Sequence, residues 1–181
     1  MEETIKKLLQ YVTSVNPRFE FWWPIKNYPN YQVSSFGRVK NVRTKKLIKP
    51  SPGNHGYFRV NLYNKCIKKQ LLVHQIVATT FLPTSNNKPY VDHIDRNHKN
   101  NHISNLRFAT SQENGRNKSK QSNNKSGFAG VSWSSRRKKW EVRIGVGWKH
   151  LFVGYFDDIN VAVERRRRAV RIHFGQFGCT E

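Results

Sequence analysis

The first apolar pattern along the chain has the period of a helix. Between residues 3 and 15, apolar side chains recur every three or four positions, which predicts a short amphipathic helix within residues 1–19. We expect this helix to dock on the module that follows. The pattern comprises Ile5, Leu8, Leu9, Val12 and Val15, and it is ended by Asn16 and Pro17.

The pattern changes to short alternating runs between residues 20 and 70. "NYPNYQVSSFGRVKNVRTKKLIKP" and "GNHGYFRVNLYNKCIKKQ" alternate aromatic or branched residues with basic ones and are broken by turn residues. This predicts a small β-rich module with one buried face. The other face would present basic side chains, namely Arg38, Lys40, Arg43, Arg59 and Lys68.

A central segment, residues 71–117, begins with a predicted helix. "LVHQIVATTFL" from Leu72 to Leu82 has helical spacing, and Pro83 closes it. The polar stretch that follows predicts a strand, a loop, a second strand over "NLRF" and a short helix. Thr110 and Glu113 have the spacing of a capping box at the start of that last helix, so Asn114 would lie in its first turn.

The C-terminal pattern predicts a separate module. Residues 118–125 are polar and typical of a linker, and residues 126–181 give three alternating runs, "FAGVSWS", "KKWEVRIGV" and "KHLFVGYF", before a helix. Asp158 or Asn160 can cap this helix and Gly175 can end it. The predicted fold class is therefore modular α+β, with a three-stranded antiparallel sheet packed on one helix at the C-terminus. The predicted buried face comprises Val161, Ala162, Arg165, Ala169 and Ile172.

The net charge of the chain indicates what kind of molecule it binds. The 181 residues have a formal net charge of +22, more than solubility requires, and a polyanion such as nucleic acid is the natural partner. Residues 20–70 and 120–181 are strongly basic and flank a nearly balanced centre, so the two flanks are the predicted phosphate-binding regions.

The cysteine content and the hydropathy of the chain predict the cellular compartment of the protein. Cys66 and Cys179 are too few and too distant in sequence for a disulfide scaffold or a cysteine-rich zinc site. The N-terminus has no apolar stretch of signal-peptide length, and no run of about twenty apolar residues could span a bilayer. We expect a soluble intracellular protein with no membrane partner, nuclear if the host is eukaryotic.

The polar stretch from Tyr90 to Asn114 has the residue types of a metal-dependent site. A zinc finger built on His93, His98 and His102 is a weak hypothesis because no thiol lies nearby. A hard cation such as Mg2+ prefers carboxylate and amide oxygens, and histidine is the usual general base. Asp92 and His93 are adjacent and supply both types, which favours phosphodiester cleavage.

The stretch "VDHIDRNHKNNHISNLRFATSQEN" resembles the core of the HNH homing endonucleases, a ββα-metal fold found in mobile nuclease genes of phages, viruses and bacteria. The resemblance implies that His93 is the general base and that Asp92 and Asn114 bind one divalent cation, Mg2+ or Mn2+. Asn105 would correspond to the middle asparagine, which braces the loop and orients the catalytic site.

The flanks resemble DNA-binding modules. "EFWWPIKNYPNYQVSSFGRVKN" is similar to a modular motif that often precedes HNH cores, and residues 126–181 resemble the ethylene-response-factor DNA-binding domain. Serines and Trp133 stand where the plant form of that domain places base-reading arginines, so its sequence specificity does not carry over. The candidate contacts there, mostly to phosphates, are Arg136, Arg137, Lys139, Arg143 and Lys149.

Together these features predict a sequence-directed endonuclease that binds double-stranded DNA as a monomer and nicks or cleaves it. A DNA-binding transcription regulator that retains the HNH fold without catalysis is the main alternative, and a basic protein that coats nucleic acid is a weaker one. His98 and His102 are expected to bond locally or approach DNA, and His74 to support the fold. The run Arg165 to Arg168 is expected on a solvated or peripheral helix face.

Overall fold

The computed structural model describes residues 18–83, 87–117, 124–147 and 149–178. The chain divides into two compact units, Met1–Thr110 and Ser111–Glu181. The predicted N-terminal helix and residues 118–123 of the predicted linker lie outside the described residues. The observed elements are a mixture of short antiparallel sheets and few helices, which confirms the predicted α+β class.

The described residues of the first unit form three antiparallel sheets and one α-helix. The first sheet has the strand order β1-β2-β3-β4, the second has the order β5-β6-β7, and β8 pairs with β9. Helix α1, Val73–Phe81, lies within the predicted range and ends before Pro83. The strands are β1 Trp22–Ile25, β2 Tyr28–Ser34, β3 Val39–Asn41, β4 Leu47–Ile48, β5 Ser51–Pro52, β6 Phe58–Asn64, β7 Ile67–Leu72, β8 Tyr90–His93 and β9 Leu106–Ala109.

The apolar side of α1 joins these sheets into one core. Val33 of β2 and Leu62 of β6 are fully buried, as are Val77 and Phe81 of α1, which lie four residues apart on one helix face. The same cluster extends to Leu106 of β9. The predicted boundary between residues 70 and 71 falls within β7. The segments before and after this boundary contribute residues to the same core.

The second unit contains the three strands and the helix predicted for the C-terminal module. Its strands form a sheet of order β10-β11-β12, and a small core of Val131, Val142, Ala162 and Val163 lies between this sheet and the long helix. The elements are α2 Ser111–Arg116, β10 Val131–Ser134, β11 Lys139–Val146, β12 Lys149–Phe156 and α3 Ile159–Phe174.

Helix α3 begins and ends as predicted but buries a different face. The Asp158 side chain accepts hydrogen bonds from the backbone N–H groups of Asn160 and Val161, and Gly175 ends the helix with φ of +52°. Of the predicted apolar face, Ala162 is fully buried, but Val161 and Ile172 are 47% and 70% exposed, so the prediction is wrong for these two residues. The sheet instead selects the face that contains Ala162, Val163, Arg166 and Val170.

No helix in the described segments is long and apolar enough to cross a membrane.

Candidate active site

The two sequence-predicted chemical groups lie at the end of β8. Asp92 and His93 are 5% and 3% exposed, although neighbouring strand residues point to opposite faces. The β8–β9 register pairs Asp92 with Arg107 and His93 with Leu106. Both faces of this two-stranded ribbon are therefore covered at its last two positions, which holds the carboxylate and the imidazole in fixed places.

The Asp92 carboxylate forms an ion pair with Arg107. Arg107 Nε donates to Asp92 Oδ2 at 2.8 Å, and Arg107 Nη2 lies 2.7 Å from the same oxygen. Their side chains are only 6% and 12% exposed. Charge-assisted bonds of this kind are strong and directional, so Arg107 determines where the candidate cation ligand points.

The His93 imidazole is held by an asparagine from the loop that follows. His93 Nε2 lies 3.2 Å from Asn101 Oδ1, and Asn101 is 5% exposed. Burial lowers the pKa of His93, as does the neighbouring His98, while the bond to Asn101 and the charges of Asp95 and Asp92 act in the opposite direction. A lowered pKa keeps a histidine neutral near pH 7, which is the form that a general base requires.

Aromatic rings surround His93. The His98 ring stacks on the Tyr57 ring with centroids 4.1 Å apart, and the His74 and His98 centroids lie 5.1 and 5.5 Å from that of His93. Burial lowers the pKa of His74 to about 4, with smaller contributions from His93 and His98. Burial, followed by the charge of Asp92, raises the pKa of Tyr57. This ring cluster excludes water from one side of the imidazole.

Of the other predicted histidines, His102 bonds locally, whereas His98 bonds to a turn that is distant in sequence. His98 Nδ1 lies 2.7 Å from the backbone oxygen of His55, and its Nε2 lies 3.3 Å from the Tyr57 hydroxyl. His102 Nδ1 accepts from the backbone N–H of Ser104. Among the described residues, no group of three or more His, Cys, Asp or Glu side chains could hold a metal ion.

Asn105 braces the loop between β8 and β9. Its Oδ1 accepts from the Asp95 backbone N–H at 2.9 Å, while its Nδ2 donates to Asp95 Oδ1 and to the Asn100 carbonyl, each at 2.8 Å. The Asn105 carbonyl also accepts from the backbone N–H of Ile94 at 2.8 Å. Through these contacts Asn105 stabilises the loop. Its assignment as a catalytic residue stays a prediction.

Asn114 belongs to α2 in the second unit. It lies in the middle of this short helix, is half-buried, and its carbonyl accepts from the Asn117 backbone N–H at 3.3 Å. Arg116 of the same helix places its guanidinium 4.5 Å from the centroid of the Phe174 ring. Asn114 as the second cation ligand stays a prediction.

The predicted DNA contacts of the first unit are exposed or half-buried cations, and several have partners within the unit. Lys40 Nζ lies 4.0 Å from the centroid of the Trp22 ring, and the Arg38 guanidinium forms an ion pair with Glu20. Arg59 Nη1 donates to Gln70 Oε1 at 3.2 Å. Arg43 is exposed in the turn after β3. Their role in DNA binding stays a prediction.

The predicted contacts of the second unit lie on or beside its sheet. Arg137 places its guanidinium 4.7 Å from the Tyr155 ring centroid, Arg143 pairs with Glu141, and Lys139 Nζ lies 3.0 Å from Asp157 Oδ2. Arg136 and Lys149 are exposed.

Trp133, 49% exposed, contacts Trp140 edge-on and lines a groove of about 920 Å3 with Arg143 and His150. Trp148 lies outside the described residues.

Three site residues were missed from the sequence: Arg107, Asn101 and Tyr57. Arg107 had a usable signal, because an antiparallel pairing of "VDH" with "LRF" sets it opposite Asp92. Asn101 and Tyr57 had none. Asn101 is one of several similar loop asparagines, and Tyr57 comes from a distant turn.

Two family models match the chain. The NUMOD4 motif matches residues 20–63, and the HNH endonuclease family matches residues 71–116. The uncharacterized HNH endonuclease L245 of Acanthamoeba polyphaga mimivirus is 40% identical over 91 residues, which is 50% of this chain and 28% of that protein. The DNA endonuclease I-HmuI of Bacillus phage SP01 is 36% identical over 94 residues, which is 51% of this chain and 54% of that protein.

The structural comparison agrees with the sequence matches. A solved structure titled "DNA binding and cleavage by the HNH homing endonuclease I-HmuI" aligns with a TM-score of 0.50 and 35% identity, covering 54% of this chain and 56% of that one. This chain therefore spans about half the length of I-HmuI and a smaller share of the mimivirus protein. The predicted resemblance of residues 126–181 to an ethylene-response-factor domain stays a prediction. With both models matched in tandem and I-HmuI similar in sequence and structure, the chain belongs to the HNH homing endonuclease family.

Proposed function

We propose that this protein is a DNA endonuclease that hydrolyses a phosphodiester bond with His93 as the general base. The observation that supports this best is the placement of Asp92 and His93 side by side at the end of β8, both buried, with separate polar partners in Arg107 and Asn101. A purely structural pair would not need two such supports.

His93 would accept a proton from water while the water oxygen attacks phosphorus. The bond between phosphorus and the 3′ oxygen then breaks, and the 3′ oxygen leaves as the new P–O bond forms. The lowered pKa of His93 keeps the ring neutral before the step, and the ring cluster of Tyr57, His74 and His98 limits solvent on one side.

The cation ligands in this proposal are Asp92 and Asn114. A carboxylate and an amide oxygen suit a hard divalent cation such as Mg2+ or Mn2+. The other nearby carboxylate, Asp95, instead accepts hydrogen bonds from Asn97, Asn100 and Asn105. A cation held there by Asp92 and Asn114 would supply positive charge to stabilise the leaving oxygen. Arg107 keeps the Asp92 carboxyl group in place for this role.

Double-stranded DNA is the proposed substrate, bound by exposed and half-buried cations of both basic regions. One candidate site per chain favours a monomer that nicks one strand. The relatives come from a phage and a giant virus, which supports a mobile-gene context. The predicted contacts are Arg38, Lys40, Arg43, Arg59, Arg136, Arg137, Lys139, Arg143 and Lys149.

A plasmid-nicking assay with Mg2+ or Mn2+ tests the proposal. We expect wild type to convert supercoiled DNA to the open circle only with a divalent cation, and His93→Ala to be slower by about 100-fold to 10,000-fold. His173→Ala, which changes an exposed histidine of α3, is the matched control and should nick normally.

Gel-shift affinity separates catalysis from binding. His93→Ala should bind DNA as tightly as wild type. Cation-dependent nicking that survives His93→Ala would overturn the mechanism. Tight DNA binding without nicking by wild type on any substrate would favour a non-catalytic regulator instead.

A further inference from the structure

Asn101 presents a defined atom to the candidate base. Its Nδ2 donates to the Lys99 carbonyl at 3.3 Å, so its Oδ1 is the atom that faces His93 Nε2 at 3.2 Å. An amide oxygen can only accept, so His93 must donate from Nε2. In the neutral ring the hydrogen is then on Nε2 and the lone pair on Nδ1.

A turn of the N-terminal module packs directly on Asn101. Gly37 has φ of +81°, and a Cβ added to it would lie 2.6 Å from Asn101 Cβ and 3.2 Å from the Asn101 carbonyl oxygen. Only glycine permits both this conformation and this approach. The turn is itself fixed, because Gly37 N–H donates to the Ser34 carbonyl at 3.0 Å and Ser34 is fully buried.

Two further contacts join the same turn to the same loop. The Ile103 N–H donates to the Ser35 carbonyl at 2.8 Å, and the Phe36 and His102 rings have centroids 4.8 Å apart. The turn therefore contacts three consecutive loop residues from Asn101 to Ile103. It belongs to the segment matched by the NUMOD4 motif, and the loop belongs to the segment matched by the HNH family.

We propose that Asn101, held by the turn Ser35–Gly37, is a positioning residue that fixes the tautomer and orientation of His93. The N-terminal module then does more than bind DNA, because it determines which imidazole nitrogen takes the proton from water. Under this assignment Nδ1 is the basic atom. The proposal rests on the proposed function only for its catalytic consequence, since the tautomer is a property of the protein alone.

Nitrogen-15 NMR of the histidine side chains at pH 8 tests the tautomer without any reaction. We expect His93 in wild type to show a protonated Nε2 and an unprotonated Nδ1. Asn101→Ala should give a mixture of tautomers, while Asn101→Asp, which keeps an acceptor oxygen, should retain the Nε2–H form. Asn97→Ala, at an exposed position of the same loop, is the matched control, because the Asn97 side-chain Oδ1 accepts from the backbone N–H of Lys99.

Gly37→Ala tests the contribution of the turn. The added methyl group must displace Asn101, so the His93 tautomer should change as in Asn101→Ala. Gly127→Ala imposes the same backbone strain, at φ of +83°, and nothing lies within 4 Å of its added Cβ. It should therefore leave the His93 signals unchanged. An unchanged tautomer in both Asn101→Ala and Gly37→Ala would overturn the proposal, as would an equal change in Gly127→Ala.

Nicking kinetics give the catalytic consequence. Asn101→Ala and Gly37→Ala should lower kcat by about 100-fold with KM for DNA unchanged, as expected when a reacting group is misplaced. A kcat that falls without a change in tautomer would indicate a structural role and overturn the proposal. If wild type nicks no DNA but the tautomer still depends on Asn101 and Gly37, the proposed function fails and the positioning role stands.

Discussion

Asp92 on β8 and Arg107 on β9 face each other across an antiparallel pair, and both guanidinium contacts go to one oxygen, Asp92 Oδ2, at 2.8 and 2.7 Å. The pair is buried, so it places a negative charge inside the protein at a defined position. Removing one partner of such a pair costs more than the pair itself contributes, because the other charge loses its compensation.

We therefore expect Arg107→Leu to lower the free energy of unfolding of the first unit by about 3–5 kcal/mol. Arg43→Leu, at an exposed position, should change it by less than about 0.5 kcal/mol. Urea denaturation measures both. If Asp92 is a cation ligand, Mn2+ should stabilise wild type more than Asp92→Ala, because a cation that binds only the folded state raises the free energy of unfolding. Equal stabilisation of the two proteins by Mn2+ would contradict that ligand assignment.

Asn105→Ala should disorder the loop between β8 and β9. The substitution removes the acceptor of the Asp95 N–H and two donated bonds, so we expect a loss of about 1–3 kcal/mol in the free energy of unfolding. Asn64→Ala removes one exposed bond to the Asn27 carbonyl and should cost far less. A similar cost for both variants, measured by urea denaturation, would show that Asn105 does not support the loop as described.

The buried His74 should make the first unit less stable in acid. Its pKa is lowered from 6.5 to about 4, so between these values the unfolded chain binds a proton that the folded chain does not. The free energy of unfolding then falls as pH drops from about 6.5 to 4, by up to about 3 kcal/mol from this group. His74 Nδ1 has no hydrogen-bond partner among the described residues, so no hydrogen bond to Nδ1 stabilises the protonated ring in the folded state.

Urea denaturation at pH 7 and pH 4.5 measures this contribution. The difference in stability between the two pH values should be smaller in His74→Gln than in wild type. His55→Gln, which changes an exposed histidine of the same unit, should keep the wild-type difference. An unchanged difference in His74→Gln would show that His74 does not titrate in this way.

Salt dependence should identify phosphate contacts in the second unit. If Arg136 neutralises one phosphate, Arg136→Ala should reduce the slope of log affinity against log salt by about one. Arg171→Ala, on the exposed side of α3, serves as the comparison and should leave the slope unchanged. Fluorescence anisotropy with duplex DNA across a salt series measures both slopes. Equal slopes in wild type and Arg136→Ala would remove Arg136 from the set of contacts.

Local sequence was sufficient for much of the secondary structure. Helix α1 matches its predicted range because its apolar spacing and Pro83 act within the helix itself. The three C-terminal strands and the Asp158 cap were predicted for the same reason, since alternation and capping depend on neighbouring residues. The buried face of α3 was not predicted, because Val161 and Ile172 are apolar but the sheet lies against another side.

The candidate chemistry was also visible in the sequence, because the adjacent Asp92 and His93 stand in a recognisable motif. What holds these two side chains was decided by the tertiary structure. Strand pairing brings Arg107 to Asp92, and a turn more than sixty residues away in sequence brings Gly37 against Asn101 and, through it, orients His93. Contacts of this kind depend on the packing of the whole unit. The sequence alone thus identified which residues could do chemistry, and the fold determined which atoms of those residues are positioned to do it.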